Sequence, residues 1–205
     1  GARIIACFRT LEKAKFVCET LPQKNRVIPI AFDLSEPDSI RDAITKVAKL
    51  GYQLDGIIAN AAIMALPNLQ QKFGYELQFF TNHVGHFILV NGLLSQLKAD
   101  GRVVILSSVS HKMSYRDGIQ FENLSGEKEY SPWSAYGQSK LCNMLFAKHL
   151  ATRMPKSNQT SNSVHPGMIP TNLTRYLPAI RVAIFHLASP LILKSVSQGS
   201  ATQCY

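Results

Sequence analysis

The sequence has 205 residues, of which 46% are hydrophobic and 17% charged, a composition typical of globular proteins that excludes disordered, collagen-like and integral membrane classes. One domain of this length buries roughly 70% of the surface of its unfolded chain, so its core needs no disulfide or metal. The formal net charge is +9, and every acidic residue precedes Tyr130. Residues 130–205, the acid-free half, predict either a merely basic surface or contact with an anion. The anion would be a phosphorylated cofactor, an anionic lipid or nucleic acid, and nucleic acid is least favoured because the cations are singly spaced.

The four cysteines form no C-x-x-C pair, which favours reduced thiols and a cytoplasmic location, with membrane association still open. Six histidines are present, and His83 with His86 is the only close pair. Because neither has a carboxylate or cysteine nearby and zinc sites need three or four ligands, we expect no metal site.

Apolar runs of strand length alternate with helix-period segments, which is typical of a doubly wound parallel sheet with crossover helices, an α/β fold. The predicted strands are Arg3–Phe8, Arg26–Phe32, Gly56–Ala59, Arg102–Leu106 and Asn162–Val164. The predicted helices are Leu11–Leu21, Pro37–Leu50, Gln70–Lys98, which is either two helices or one bent helix, and Ser134–Met154. Without a linker or repeat, residues 1–205 are interpreted as a single domain.

Two stretches stand apart from this alternation. Residues 109–133 form a long polar excursion after a predicted strand, and such loops are more often functional than idle. Residues 176–196 are strongly apolar but interrupted by Arg181, His186 and Pro190, which excludes a comfortable membrane span. A lid or pocket wall, a core helix and an interfacial membrane helix remain the three interpretations of that segment.

Tyr136 and Lys140 are four residues apart on a predicted helix, so they share one face. A phenol titrates near pH ~10, whereas proton transfer at neutral pH needs a value nearer ~7. A lysine charge at ~4 Å contributes up to about 4 kcal/mol at an effective dielectric of ~20, equivalent to roughly three pK units. The pair therefore predicts a general acid/base with a lowered pKa.

Polar and small residues follow several predicted strands, at the edge where doubly wound sheets bind ligands. Ser107 and Ser108 end one strand, and a hydroxyl there can hydrogen-bond a substrate carbonyl as it gains negative charge. A rigid turn beginning at His165 follows another strand, and a third strand ends near Asn60. These positions predict a ligand site beside the tyrosine and the lysine.

Seven motifs occur in the order ACFRT, AFDLS, GIIANAA, TNHVGHF, RVVILSS, YGQSK and HPGMIPT. In these motifs the chain resembles the short-chain dehydrogenase/reductase family, and its excursion resembles that of the retinol dehydrogenase-like branch. The resemblance extends over nearly the whole chain. It implies a Rossmann-like fold and an NAD(P)-dependent oxidoreductase.

The resemblance also implies a role for each matching residue. The catalytic residues would be Asn82, Ser108, Tyr136 and Lys140, with Tyr136 as proton donor or acceptor and Lys140 on the nicotinamide ribose. The cofactor would be bound by Arg9, Asp33, Leu34, Asn60, Ala61, Tyr136, Lys140, Pro166, Gly167, Ile169 and Thr171. Arg9 stands where relatives place a basic residue for a 2′-phosphate, so NADP(H) is preferred over NAD.

The chain departs from the family pattern at three places. Ala62 stands where the family has glycine, which would crowd the cofactor if that backbone needed positive φ. No glycines cluster as in the family's phosphate-binding turn. The resemblance implies that three elements of the family fold are missing: the phosphate-binding turn, the first strand, which is central in the sheet, and the last strand. We therefore expect a fragment that is incomplete at both ends and has a gap in its sheet.

The function implied is hydride transfer between NADP(H) and a small lipophilic alcohol or carbonyl substrate that is retinoid-, steroid- or aldehyde-like. The alternative is a truncated, inactive Rossmann-like binding or regulatory module. Pairing through the two long helices is typical of the family, so a homodimer is one possible assembly. We expect no nucleic-acid partner.

Overall fold

In the computed structural model of the protein, residues 1–21, 23–154, 158–169, 173 and 193–204 are described. The strands are β1 (Ile4–Phe8), β2 (Val27–Ala31), β3 (Leu54–Ala59), β4 (Gln71–Lys72), β5 (Tyr75–Glu76), β6 (Leu97–Leu106) and β7 (Thr160–Val164). The helices are α1 (Leu11–Thr20), α2 (Pro37–Lys49), α3 (Leu77–Phe79), α4 (Gly85–Leu93), α5 (Pro132–Arg153) and α6 (Val196–Cys204). Each predicted strand and three of the four predicted helices are found within a few residues of their expected bounds.

The long strands run parallel, which confirms the α/β class. β1 pairs with β2, and β6 lies between β3 and β7. Among the described residues β1 and β3 are not hydrogen-bonded to each other, so the parallel strands form two separate sheets. This division falls where the family resemblance predicts a missing central strand. Ile4 of β1 is 53% exposed and Ile58 of β3 is 47% exposed.

The core is one cluster between the β3–β6–β7 sheet and helices α2, α4 and α5, and it also includes Ile30 of β2. Val103 and Ile105 alternate inward along β6 and are fully buried, as expected for one face of a strand. In α2, Ile40 and Val47 are buried seven residues apart because that spacing repeats after two helical turns. Val90 of α4 is also fully buried in this cluster. This packing fixes the strand ends from which the site is built.

The sequence predicts two helices or one bent helix over Gln70–Lys98, but consecutive helical segments occupy only residues 77–96, and the chain is in strands at both ends of the predicted range. The first residues of this range form the antiparallel hairpin β4–β5, which reverses at Phe73 and Gly74 with φ values of 50° and 78°. The left-handed backbone explains the break, since glycine adopts it without steric cost. The helical part begins at Leu77, where the Glu76 carboxylate accepts a hydrogen bond from the Phe79 amide at 2.7 Å.

The 109–133 excursion is tied to the body of the protein by specific hydrogen bonds. The Gln120 amide donates to Gln138 Oε1 of α5 at 2.7 Å. The Tyr130 hydroxyl donates to the carbonyl of Leu66 at 2.7 Å and accepts from Gln78 Nε2 at 3.2 Å. The excursion is therefore held against α5 and the loop after β3, on both sides of the site.

Close packing at Gly137 predicts a large effect of one methyl group. A Cβ there would lie 2.6 Å from the Ser110 carbonyl oxygen and 2.7 Å from the Ser114 nitrogen. Both are backbone atoms that cannot move away cheaply. We expect Gly137→Ala to lower the free energy of unfolding by roughly 1–3 kcal/mol in urea titrations. Gly56→Ala is the control, since its Cβ would meet only the Arg102 carbonyl oxygen at 3.5 Å, and equal losses in both variants would contradict the prediction.

Some sequence predictions fall on parts of the chain that are not described. Thr171 and residues 176–192 of the apolar segment lie outside the described residues. Within the described part, no helix is long and apolar enough to cross a membrane. The same part contains no group of three or more histidine, cysteine, aspartate or glutamate side chains placed to hold a metal ion.

Candidate active site

The carboxyl ends of β3, β6 and β7 meet at one edge of the sheet because the three strands are parallel. Asn60 follows β3, while Ser107 and Ser108 follow β6. The Ser107 amide donates to the carbonyl oxygen of Val164 at 2.9 Å, so the start of the turn at His165 lies beside the two serines. The strand ends therefore bring together residues that the sequence separates by up to a hundred positions.

Tyr136 and Lys140 lie in the first turns of α5, on its buried face. The helix begins at Pro132, which suits a first helical position, and Ser131 caps it. Tyr136 is 4% exposed and Lys140 is 3% exposed. The Lys140 Nζ atom lies 5.6 Å from the centroid of the Tyr136 ring, as the spacing of the two residues predicts.

The acidity of the two groups differs from the sequence-based expectation. Burial raises the pKa of Tyr136 to about 12, and a hydrogen bond with the Ser108 side chain offsets this only in part. Burial lowers the pKa of Lys140 to about 8. The predicted lowering of the phenol pKa is therefore not found, because the burial of the phenol raises its pKa by more than its hydrogen bond lowers it.

The Lys140 ammonium is held by a backbone carbonyl. Lys140 Nζ donates to the Leu106 carbonyl oxygen at 3.1 Å, and Asn143 Nδ2 donates to the same oxygen at 3.0 Å. The Ser107 hydroxyl donates to the Lys140 carbonyl at 2.7 Å. Ser107 and Asn143 thus fix the end of β6 against α5. The sequence analysis considered a hydroxyl at Ser107 or Ser108 for a substrate carbonyl, but that of Ser107 is bonded to α5. It assigned no role to Asn143, which only the i, i+3 spacing from Lys140 could have signalled.

Asn82 lies inside a π-helical turn, Phe80–Val84, that bends the helix between α3 and α4. Its side chain is fully buried and clamps the backbone of Ile63, accepting from the amide and donating to the carbonyl, both at 2.9 Å. It also donates to Ser139 Oγ at 3.0 Å. The Asn82 side chain therefore positions the loop after β3 and the middle of the Tyr136–Lys140 turn.

His86 is a buried group that sequence reasoning treated only as a packing residue. Its Nδ1 atom lies 2.9 Å from the Asn82 carbonyl oxygen. Because a carbonyl only accepts, Nδ1 carries the proton. Burial lowers the pKa of His86 to about 4, so the ring is neutral at physiological pH. His83, its sequence neighbour, faces Asn143 instead, with Nδ1 and Oδ1 3.1 Å apart.

Five of the predicted cofactor-binding residues follow β1, β2 and β3: Arg9, Asp33, Leu34, Asn60 and Ala61. Arg9 is exposed just after β1, and Asn60 and Ala61 are exposed after β3. Asp33 follows β2, and its carboxylate accepts from the Ser35 amide and hydroxyl, each at 2.8 Å. The Asp33 carboxylate therefore stabilises the turn that follows β2.

One close approach and one backbone angle bear on this part of the predicted cofactor site. A Cβ at Gly85 would lie 2.2 Å from the Leu34 carbonyl oxygen, so Leu34 rests directly on the start of α4. Ala62 does not have positive φ; in the described part, the non-glycine residues that do are Ala65 and Phe73. The departure from glycine at Ala62 is therefore accommodated without backbone strain.

The turn after β7 carries three more of the predicted cofactor-binding residues. Pro166 and Ile169 are half-buried, and Gly167 has a φ of 90°, which suits glycine. The Ile169 side chain packs on Gly199 of α6, where an added Cβ would lie 2.0 Å from Ile169 Cδ1. α6 thus supports this turn from outside.

An apolar cluster flanks the Tyr136 ring. Met64, Ala65 and Tyr136 are buried together, with Trp133 and Leu173 packed against them. The Trp133 and Tyr136 rings meet edge to face, with centroids 6.4 Å apart. This cluster forms an apolar wall beside the phenol.

Comparison with known proteins places the chain in a family. Residues 1–179 match the family model described as short chain dehydrogenase. The chain is 37% identical over its full length to short-chain dehydrogenase TIC 32 A, chloroplastic, of Brassica napus, of which it spans 68%. Over 84% of its length it is 38% identical to human retinol dehydrogenase 14, of which it spans 52%.

Solved structures agree on the fold. A short chain dehydrogenase from Burkholderia cenocepacia in complex with NADP superimposes with a TM-score of 0.76, covering all of this chain and 79% of that one at 20% identity. These matches and the retinol dehydrogenase relatives confirm the resemblance drawn from the seven motifs. The chain belongs to the short-chain dehydrogenase family, in its retinol dehydrogenase-like branch, whose members are oxidoreductases that act on CH–OH groups with NAD(P).

Proposed function

We propose that the protein moves hydride between NADP(H) and a small lipophilic alcohol or carbonyl compound, with Tyr136 as the general acid/base. The observation that carries this proposal is the buried pair of Tyr136 and Lys140 beside Ser108, at the carboxyl edge of a parallel sheet. An alcohol or carbonyl substrate bound at this edge would have its oxygen within reach of the Tyr136 and Ser108 hydroxyl groups.

In carbonyl reduction the residues divide the work as follows. The Ser108 hydroxyl orients the substrate oxygen, and the Tyr136 hydroxyl donates to it and releases its proton as negative charge develops there. With its pKa at about 12, the phenol is fully protonated at neutral pH and suited to donation. The Asn82 clamp on Ile63 keeps the loop after β3 in place beside the phenol.

The residues present fit the nicotinamide half of the cofactor. The Lys140 ammonium has a single hydrogen bond among the described residues, to the Leu106 carbonyl, so two of its three N–H donors remain for ribose hydroxyls. When bound, the nicotinamide supplies or accepts the hydride. The Burkholderia cenocepacia relative contains NADP, and exposed Arg9 after β1 is a cation available for a 2′-phosphate, which together support NADP(H) over NAD.

A lipophilic substrate is supported by the wall beside the phenol. Trp133 and Leu173 are partly buried there against the buried side chains of Met64 and Ala65, and Met113 on the excursion is 48% exposed. Apolar walls with a few polar groups are typical of sites for apolar small molecules. The name of human retinol dehydrogenase 14 adds retinoids to the steroid- and aldehyde-like compounds to be assayed.

The test is NADPH consumption with a panel of apolar aldehydes and ketones, together with the fluorescence of NADPH on binding. Turnover that depends on Tyr136 supports the proposal. The alternative is an inactive Rossmann-like module, favoured by one observation: among the described residues, β1–β2 and β3–β6–β7 form two separate sheets. Neither binding nor turnover would leave that module as the function.

We also propose that two copies pair through α4 and α5. Phe87 on α4 is 47% exposed and Leu145 on α5 is 42% exposed, and the Phe87 and Phe146 rings lie 4.9 Å apart across the two helices. Such an apolar face favours a second copy of the chain. We expect light scattering to give twice the chain mass, and Phe87→Glu to halve it.

The control for this pairing is Phe121→Glu, because Phe121 is 74% exposed on the excursion. That variant should stay dimeric. A monomeric parent protein, or dissociation by both substitutions, would rule out pairing through these helices.

A further inference from the structure

Three groups that can carry positive charge surround the turn after β7. His165 begins this turn, beside the serines at the end of β6, because the Ser107 amide bonds to Val164. His111 lies on the other side, with its Nδ1 atom 2.7 Å from the Ser108 carbonyl oxygen. Since a carbonyl only accepts, this Nδ1 carries the proton, and the ring is fixed against the catalytic serine.

Lys194 completes the group from the far end of the chain. Its amide donates to the Met168 carbonyl at 2.9 Å. Its side chain lies over Gly167, where an added Cβ would be 2.9 Å from Lys194 Cδ and 3.2 Å from Cε. The ammonium-bearing chain therefore passes across the turn that begins at His165, and glycine at position 167 leaves the space for it.

No described acidic group balances these charges. The ion pairs of the described residues lie elsewhere, at Arg41–Asp38, Lys72–Glu36 and Lys98–Asp55. The sequence has no acidic residue after Glu129. The electrostatic effect is visible at His165, since burial, Lys194 and His111 all lower its pKa. Groups of this kind, held together without an acidic partner among the described residues, form a site whose protonated state an anion would stabilise.

We propose that His111, His165 and Lys194 form an oxyanion site that takes a phosphate group at the rim of the active site. Lys194 supplies a full charge with its N–H donors, and each histidine ring supplies an N–H when it is protonated. For His111 this donor is Nε2, because the Nδ1 proton is bonded to the Ser108 carbonyl. Such donors suit the several acceptor oxygens of a phosphate. The phosphate is either one of the diphosphate groups of the dinucleotide or an anionic group on the substrate. The inference extends the proposed function, but the binding itself needs no turnover.

The test is a titration of the chain with inorganic pyrophosphate, followed by the NMR signals of the histidine rings. We expect saturable shifts of His165 and His111 and a rise in the pKa of His165. Lys194→Met should weaken the binding by about 1.5- to 5-fold, the effect of one exposed charge pair. Lys148→Met is the control, since Lys148 is an exposed lysine of the acid-free half on α5, and it should leave the binding unchanged.

Each outcome decides the matter. Shifts that chloride reproduces at equal ionic strength, or equal effects of the two lysine substitutions, would overturn the site. Displacement of pyrophosphate by NADPH identifies the cofactor as the source of the phosphate. If pyrophosphate still binds when NADPH is bound, the phosphate group that the site takes comes from the substrate. A protein that binds pyrophosphate here but lacks turnover would refute the proposed function and keep this site, so the two failures are distinguishable.

Discussion

Replacing Tyr136 by phenylalanine is expected to lower kcat by about 10²- to 10⁴-fold, the range that a lost general acid accounts for. The hydroxyl oxygen is the only heavy atom removed. The ring keeps its packing against Met64 and Ala65 and its edge contact with Trp133, so the fold and the apolar wall remain. The loss should therefore appear in kcat, with NADPH affinity changed little.

The measurement is NADPH oxidation with an apolar aldehyde, alongside NADPH binding by fluorescence. Tyr75→Phe is the matched control, because Tyr75 is partly exposed on β5 and contributes only ring contacts with Phe79 and Phe80. Its activity should equal that of the parent protein. Wild-type kcat in the Tyr136 variant would show that the proton comes from another group.

The periodic parts of the fold could be predicted from the sequence. β6 alternates buried Val103 and Ile105 with less buried residues, and α2 repeats its buried positions at helical spacing. Both patterns follow from how each element faces the core. Tyr136 and Lys140 were predicted as a pair for the same reason, since four residues span about one helical turn.

Features that depend on distant contacts could not be predicted in this way. The Asn82 clamp on Ile63 joins residues 19 positions apart. The π-helical turn that carries Asn82 produces no hydrophobic periodicity that could be recognised in the sequence. The hairpin at Phe73 and Gly74 was missed because its strands have only two residues each. The pKa of Tyr136 was mispredicted because the distance to the neighbouring charge was considered without the burial of both groups.

Lys140→Met is expected to abolish most turnover without destabilising the protein. The ammonium is 3% exposed and bonds only to the Leu106 carbonyl among the described residues, so it is a buried charge with no carboxylate partner there. Replacing such a charge by an apolar side chain of similar length is often neutral or stabilising. Activity should still be lost, because the donors available to the ribose disappear. A stability loss above about 1 kcal/mol at neutral pH would show that the ammonium contributes net stability.

The pH dependence of stability provides the sharper measurement for this variant. The folded pKa of Lys140, about 8, lies below the ordinary lysine value, so the unfolded chain keeps its proton to higher pH. The stability that comes from losing this proton is present above about pH 10.5 and is lost as the pH falls through about 8. Between about pH 7 and 9.5 the parent protein should therefore gain roughly 1–2 kcal/mol over Lys140→Met in urea unfolding. Burial also raises the pKa of Cys7 to about 11 and that of Cys142 to about 12, but both thiols are common to the two proteins. Their effect cancels in the difference, and parallel pH profiles would mean that Lys140 titrates normally in the folded protein.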